Sequence, residues 1–137
     1  MYFNKEVYHK LVASGFFETN RIDTIFVFGG TNDSWSNAPL GKEQFSDWHK
    51  KDLFCVLPAI CYFVNQLKQN HPHARVVLIA NCDIKSEIIE CLRNAAQRMG
   101  VECVELREID KDAGHPTVLG MQQIYEQLIE QLCRPLL

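Results

Sequence analysis

The chain has 137 residues, a length that suits one domain with a sizeable core. Its 47% hydrophobic and 23% charged residues exclude a disordered chain, a collagen-like repeat and a low-complexity linker. Fourteen basic residues face 17 acidic ones, for a net charge of −3, so no basic surplus exists to attract nucleic acid.

No apolar run approaches the ~20 residues that a membrane helix needs. Lys5, Glu6, His9 and Lys10 interrupt the start of the chain before a signal-peptide core could form. A cytoplasmic location is expected for the chain as it stands. The six cysteines form no C-x-x-C pair, and most lie inside apolar runs. They read as buried free thiols acting as small hydrophobes, with no metal site.

Residues 1–20 read as a surface helix, with Val7, Tyr8, Leu11 and Val12 at helical spacing until Ser14-Gly15 ends the pattern. Thr24-Ile25-Phe26-Val27-Phe28 is a continuous apolar run ended by Gly29-Gly30, which predicts a strand buried on both faces. Residues 31–47 are rich in turn formers and predict a loop. A helix is predicted over 53–69, with Pro58 in its first turn, where a missing N–H costs nothing. Residues 48–56 can hold a separate helical turn.

Arg75 to Ala80 is a second buried strand. A helix follows over about 84–99, with Asp83 as N-cap and Gly100 just past its end. Val101 to Leu106 is a third strand, and residues 107–116 a polar loop. Thr117 caps a last helix whose stripe is Met121, Ile124, Tyr125, Leu128, Ile129 and Leu132. Alternating strands and helices predict a single three-layer α/β/α domain on a short parallel sheet.

In such sheets ligands bind at the carboxyl ends of the strands. Two loops there carry candidate chemistry. In the first, Gly29 and Gly30 let the backbone turn sharply, and Asn32 presents a neutral N–H₂ donor able to stabilise an oxyanion. In the second, Asp112 and His115 lie three residues apart in one tight turn, where a carboxylate can orient an imidazole. Taken singly, each loop also reads as a plain solvated turn. Trp35, Trp48 and His49 flank the first loop and can line a pocket or merely anchor it. His71-Pro72-His73 reads as a turn at the opposite end of the sheet.

Together the loops resemble a known family. Gly30-Thr31-Asn32-Asp33 matches the G-x-N-D block of the SGNH (GDSL-type) esterases and lipases, and Asp112-Ala113-Gly114-His115-Pro116 matches their D-x-x-H block. The strings Phe26 to Trp35 and Gly114 to Met121 look similar to members from gut bacteria. The resemblance spans about residues 22–130 and implies a flavodoxin-like SGNH fold.

It also implies Asn32 as oxyanion donor, His115 as general base and Asp112 as its orienting acid, with Gly30, Thr31, Asp33 and Trp35 around the pocket. Family members cleave acyl esters, often on sugars, lipids or polysaccharides, without a metal or other cofactor. The family's nucleophile is a Ser in a G-D-S block on the first strand, and no Gly-Asp-Ser occurs here. Too few residues precede the Ile25 strand for a crossover unit. The expectation is a domain truncated at its N-terminus, inactive alone. Ser34 and Cys82 are the substitutes nearest to hand.

The Ile25 strand then becomes a free edge without Pro or Lys. The chain is expected to dimerise there, to meet a partner chain, or to cover the edge with residues 1–20. Besides a hydrolase relative, a non-catalytic binding module and an assembly protein remain open. A nucleotide cofactor finds no G-x-G-x-x-G or P-loop pattern.

Overall fold

The computed structural model describes residues 5–133, so the first four residues of the helix expected over 1–20 lie outside them. The elements in order are α1 (Lys5–Ala13), α2 (Phe16–Thr19), β1 (Thr24–Phe28), α3 (Thr31–Trp35), a 3₁₀ turn (Asp52–Phe54), α4 (Val56–Asn70), β2 (Arg75–Ala80), α5 (Ser86–Met99), β3 (Glu102–Glu105), β4 (Lys111–Asp112), β5 (His115–Pro116) and α6 (Val118–Leu132).

β1, β2 and β3 form a parallel sheet in that order, with Val27 opposite Leu78 and Ile79 opposite Val104. Each parallel step needs a crossover, and α4 and α5 supply the two. Same-handed crossovers put both helices on one face. There Ile60, Val64, Ile88 and Leu92 pack on Val27, Val76 and Leu78. The other face, Val77, Ile79 and Val104, is covered by Ile124, Leu128 and Leu132 of α6. The result is the three-layer α/β/α arrangement expected from the sequence.

Several local expectations change. The first helix is two helices, broken at Ser14-Gly15 where Gly15 takes φ +71°. Tyr8 and Phe17 dock that pair on Phe63 of α4 and on His71 through edge-on ring contacts. β1 is not buried on both faces, because no described helix covers its α6 side: Phe26 is 55% and Phe28 43% exposed.

The expected loop at 31–47 opens with α3, whose first turn is closed by Ser34 N–H donating to the Gly30 carbonyl. Its remainder is fixed otherwise. Val56 and Leu57 N–H donate to the carbonyls of Pro39 and Leu40, giving the first turn of α4 partners that a helix start lacks.

Asp83 does not cap α5. It is drawn to Lys111 Nζ at 2.5 Å, and the cap falls to Lys85, whose N–H donates to Ser34 Oγ at 3.0 Å. Gly100 ends α5 at φ +63°, as predicted. Thr117 caps α6 by accepting from Gly120 N–H at 3.1 Å. Of the α6 stripe, Met121, Tyr125 and Ile129 are exposed rather than buried. Of the cysteines, only Cys61 and Cys91 are fully buried; Cys133 is exposed and the rest are half-buried.

His71-Pro72-His73 is a turn, but His71 is buried among aromatic rings and burial lowers its pKa from 6.5. Above pH 6.5 the imidazole is neutral folded and unfolded. Below it the unfolded chain takes up a proton that the folded chain resists, so stability falls as pH drops from 6.5 toward the folded pKa. Thermal unfolding at pH 7.5 and 5.5 should show this loss, and His71→Phe should reduce it. An equal loss in that variant would assign it to other groups.

Candidate active site

The carboxyl end of the sheet is assembled from three short pieces. Gly30 takes φ +93°, and a Cβ there would come within 3.0 Å of Ile88, so only glycine turns β1 directly into α3 against α5. That turn sets Asn32 at the start of α3, exposed, with its side-chain amide engaged by no described residue. Asp33, next along, points inward and is buried.

The second piece is a hairpin inside the expected loop at 107–116. β4 and β5 are joined by Ala113 and Gly114, at φ +48° and +83°, the two positive values a type I′ turn requires. Asp112 and His115 are directly opposite partners, with side chains on one face. Both are exposed, and among the described residues no hydrogen bond joins them. Trp35 closes over this turn: its ring meets the His115 ring edge-on at 5.9 Å, and a Cβ on Gly114 would come within 2.5 Å of it.

Ala113 carries strain that a glycine would not. Ala113→Gly is expected to stabilise the hairpin by about 1 kcal/mol, read as a raised unfolding midpoint in urea. A lowered midpoint would mean that the entropy added to the unfolded chain outweighs the strain.

The third piece is Asn81, just past β2 and buried. Its amide donates to Thr31 Oγ1 at 3.2 Å, and its Oδ1 accepts from Lys111 Nζ at 2.9 Å. Lys111, with only 12% of its side chain exposed, also reaches Asp83. One buried amide thus ties α3, β2 and the hairpin together. Sequence reasoning missed Asn81 and Lys111. Asn81 could have been found, as a polar residue closing an apolar strand on the ligand side of the sheet.

These pieces enclose a cleft of about 230 Å³ lined by Phe28, Thr31, Asn32, Trp35, Asn81, Gly114, His115 and Pro116. It brings together Asn32, Thr31, Trp35 and His115 from the candidate residues. Trp48 and His49 are not in it; Trp48 Nε1–H donates to the Gln44 carbonyl and its ring meets Tyr62 edge-on. Ser34 does not line it; its Oγ accepts from the Lys85 N–H at the start of α5. Cys82 lies instead in a larger, acidic depression of about 860 Å³ with Asp83, Glu108 and Asp110. No His lines that depression, whereas the smaller cleft is lined by His115. No group of described residues could hold a metal ion.

A model of the GDSL-like lipase/acylhydrolase family matches residues 4–132. Among solved structures, a GDSL-like lipase from Bacteroides uniformis is 42% identical with a TM-score of 0.79 over 82% of this chain and 53% of its own. One from Bacteroides ovatus is 35% identical, with a TM-score of 0.79 over 82% of this chain and 55% of its own. An acetyl xylan esterase from Butyrivibrio proteoclasticus, 18% identical with a TM-score of 0.53 over 85% of this chain and 38% of its own, shares the fold. No curated protein matches the chain. The chain thus spans about half the length of the Bacteroides structures. With nearly all of its length matched, this chain belongs to the GDSL-like lipase/acylhydrolase family.

Proposed function

We propose that the chain carries the acid–base and oxyanion half of an ester hydrolase site, acting on acyl esters of small alcohols or sugars. The observation that carries this is one cleft lined by both Asn32 and His115. Asn32 Nδ2, engaged by no described residue, donates to the ester carbonyl oxygen as charge develops on it. His115 takes the proton of an attacking hydroxyl and returns it to the departing alkoxide. A rotation within the β4–β5 pair brings the Asp112 carboxylate to the imidazole and fixes its tautomer. Trp35 walls the acyl or sugar group.

The nucleophile comes from outside this chain. The sequence has no Gly-Asp-Ser, and the one hydroxyl side chain lining the cleft, on Thr31, is held by Asn81. A fluorophosphonate probe tests this by intact mass, with His115→Ala in parallel. The folded chain alone should take no adduct. A stoichiometric, His115-dependent adduct would place the nucleophile in this chain, with Thr31 the first residue to map. An adduct indifferent to His115 would remove the base from the proposal. A non-catalytic sugar- or acyl-binding role is the second reading, favoured by the missing Gly-Asp-Ser alone.

A further inference from the structure

The hydrogen bonds beneath the cleft run in one direction. Lys111 Nζ donates to Asn81 Oδ1 at 2.9 Å, and the Cys82 backbone N–H donates to the same oxygen at 2.9 Å. An ammonium and a backbone N–H can only donate, so the end of the Asn81 amide that meets both is its oxygen. The other end is the NH₂, which can only donate, and it donates to Thr31 Oγ1 at 3.2 Å. Asn81 is 3% exposed and the Lys111 side chain 12%, so water competes little for these bonds.

Thr31 ends the relay. Its oxygen accepts from Asn81, so its own proton points elsewhere. Among the described residues no acceptor takes that proton. Thr31 lines the cleft together with Asn32 and His115, and a ligand there can reach it. A hydroxyl that accepts from a chain begun by an ammonium is polarised to donate more strongly. The same bond occupies a lone pair, which suits a donor rather than a nucleophile.

We propose that the Thr31 hydroxyl is a second side-chain donor in the cleft, beside Asn32, taking an acyl oxygen of the ligand, and that Asn81 and Lys111 are the positioning residues that aim it. The choice of an acyl oxygen rests on the ester reading of the cleft; the direction of the relay does not.

Two near-isosteric changes separate donor from relay. Thr31→Val removes the hydroxyl and keeps the shape. Asn81→Asp still accepts from Lys111 and Cys82, but its second oxygen can only accept. The Thr31 hydroxyl then donates to that oxygen and is withdrawn from the cleft.

The test titrates p-nitroacetanilide, an uncharged amide analogue of p-nitrophenyl acetate, into the chain and follows the backbone amide NMR shifts of residues 31, 32 and 35. Thr31→Val should weaken binding about fivefold, the usual worth of one neutral hydrogen bond. Thr31→Ser, which keeps the hydroxyl, should bind within about twofold of the unaltered chain. Asn81→Asp should match Thr31→Val, and the double variant should be no weaker than either single one. A residue that merely held the fold would cost the same in both backgrounds. Where Asn81→Asp does not fold, Lys111→Met takes its place, weakening binding in the unaltered chain and not in Thr31→Val.

Shifts at none of these amides overturn the proposal. So does undiminished binding by Thr31→Val, or binding by Thr31→Ser as weak as by Thr31→Val. A loss from Asn81→Asp or Lys111→Met that adds in full to that of Thr31→Val overturns the relay. In a fusion of this chain with the portion of the Bacteroides uniformis protein it does not span, Thr31→Val should lower kcat/KM for p-nitrophenyl acetate by a similar factor. A fusion without His115-dependent hydrolysis contradicts the half-site and leaves the donor standing on the binding result. His115-dependent hydrolysis indifferent to Thr31→Val does the reverse.

Discussion

Gly120→Ala should destabilise the fold by about 3 kcal/mol and lower Tm by about 10 °C. On an exposed helix the same change would stabilise by up to about 1 kcal/mol, because glycine is the poorer helix former. Here the sign reverses, because the added Cβ would meet the Asp110 carbonyl oxygen at 2.0 Å, and backbone cannot swing aside as a flexible side chain can. Either α6 or the segment before the hairpin must move.

That segment is held to α6 at three further points: Thr117 N–H and its hydroxyl both donate to Asp110, and Asp110 N–H donates to Gln123 Oε1 at 2.6 Å. The displacement therefore reaches His115. Gly100→Ala is the matching control. A Cβ there meets nothing within 4 Å, and its φ of +63° costs an alanine only about 1–2 kcal/mol. Equal losses in the two variants would mean that the close approach of α6 to Asp110 is not what matters.

The second large effect concerns catalysis. In a fusion of this chain with the portion of the Bacteroides uniformis protein it does not span, His115→Ala should lower kcat for p-nitrophenyl acetate by about 10²–10⁴-fold, the usual contribution of a general base. Asn32→Ala should cost about 10²–10³-fold in kcat with little change in KM, because an oxyanion donor acts on charge that exists only in the transition state. A rise in KM at constant kcat for Asn32→Ala would make it a ground-state contact instead. Both side chains are exposed, so the losses should come without loss of stability.

The sequence was most legible where one physical demand acts alone. The three strands, the two long helices between them and the Thr117 cap follow from apolar periodicity and from the need to satisfy a helix end. The family was legible too, because Gly30 to Asp33 and Asp112 to Pro116 are short blocks with fixed roles.

What was not legible depends on partners distant in sequence. The apolar letters of β1 do not say that one face lacks a covering helix, so Phe26 and Phe28 read as buried. Asp83 reads as a cap until Lys111, 28 residues later, claims it. The hairpin at 111–116 hides in polar letters because its turn rests on an alanine at positive φ, against that residue's preference. Asn32 and His115 were named from their blocks, whereas Asn81, which binds those blocks together, belongs to neither.

The most direct measurement is fluorophosphonate labelling of the chain alone and of a fusion that joins it to the portion of the Bacteroides uniformis protein it does not span, each with and without His115→Ala. One adduct per fused molecule is expected, on the added portion, absent from the chain alone and lost with His115. A folded fusion that takes no adduct, or one labelled equally without His115, would contradict the half-site.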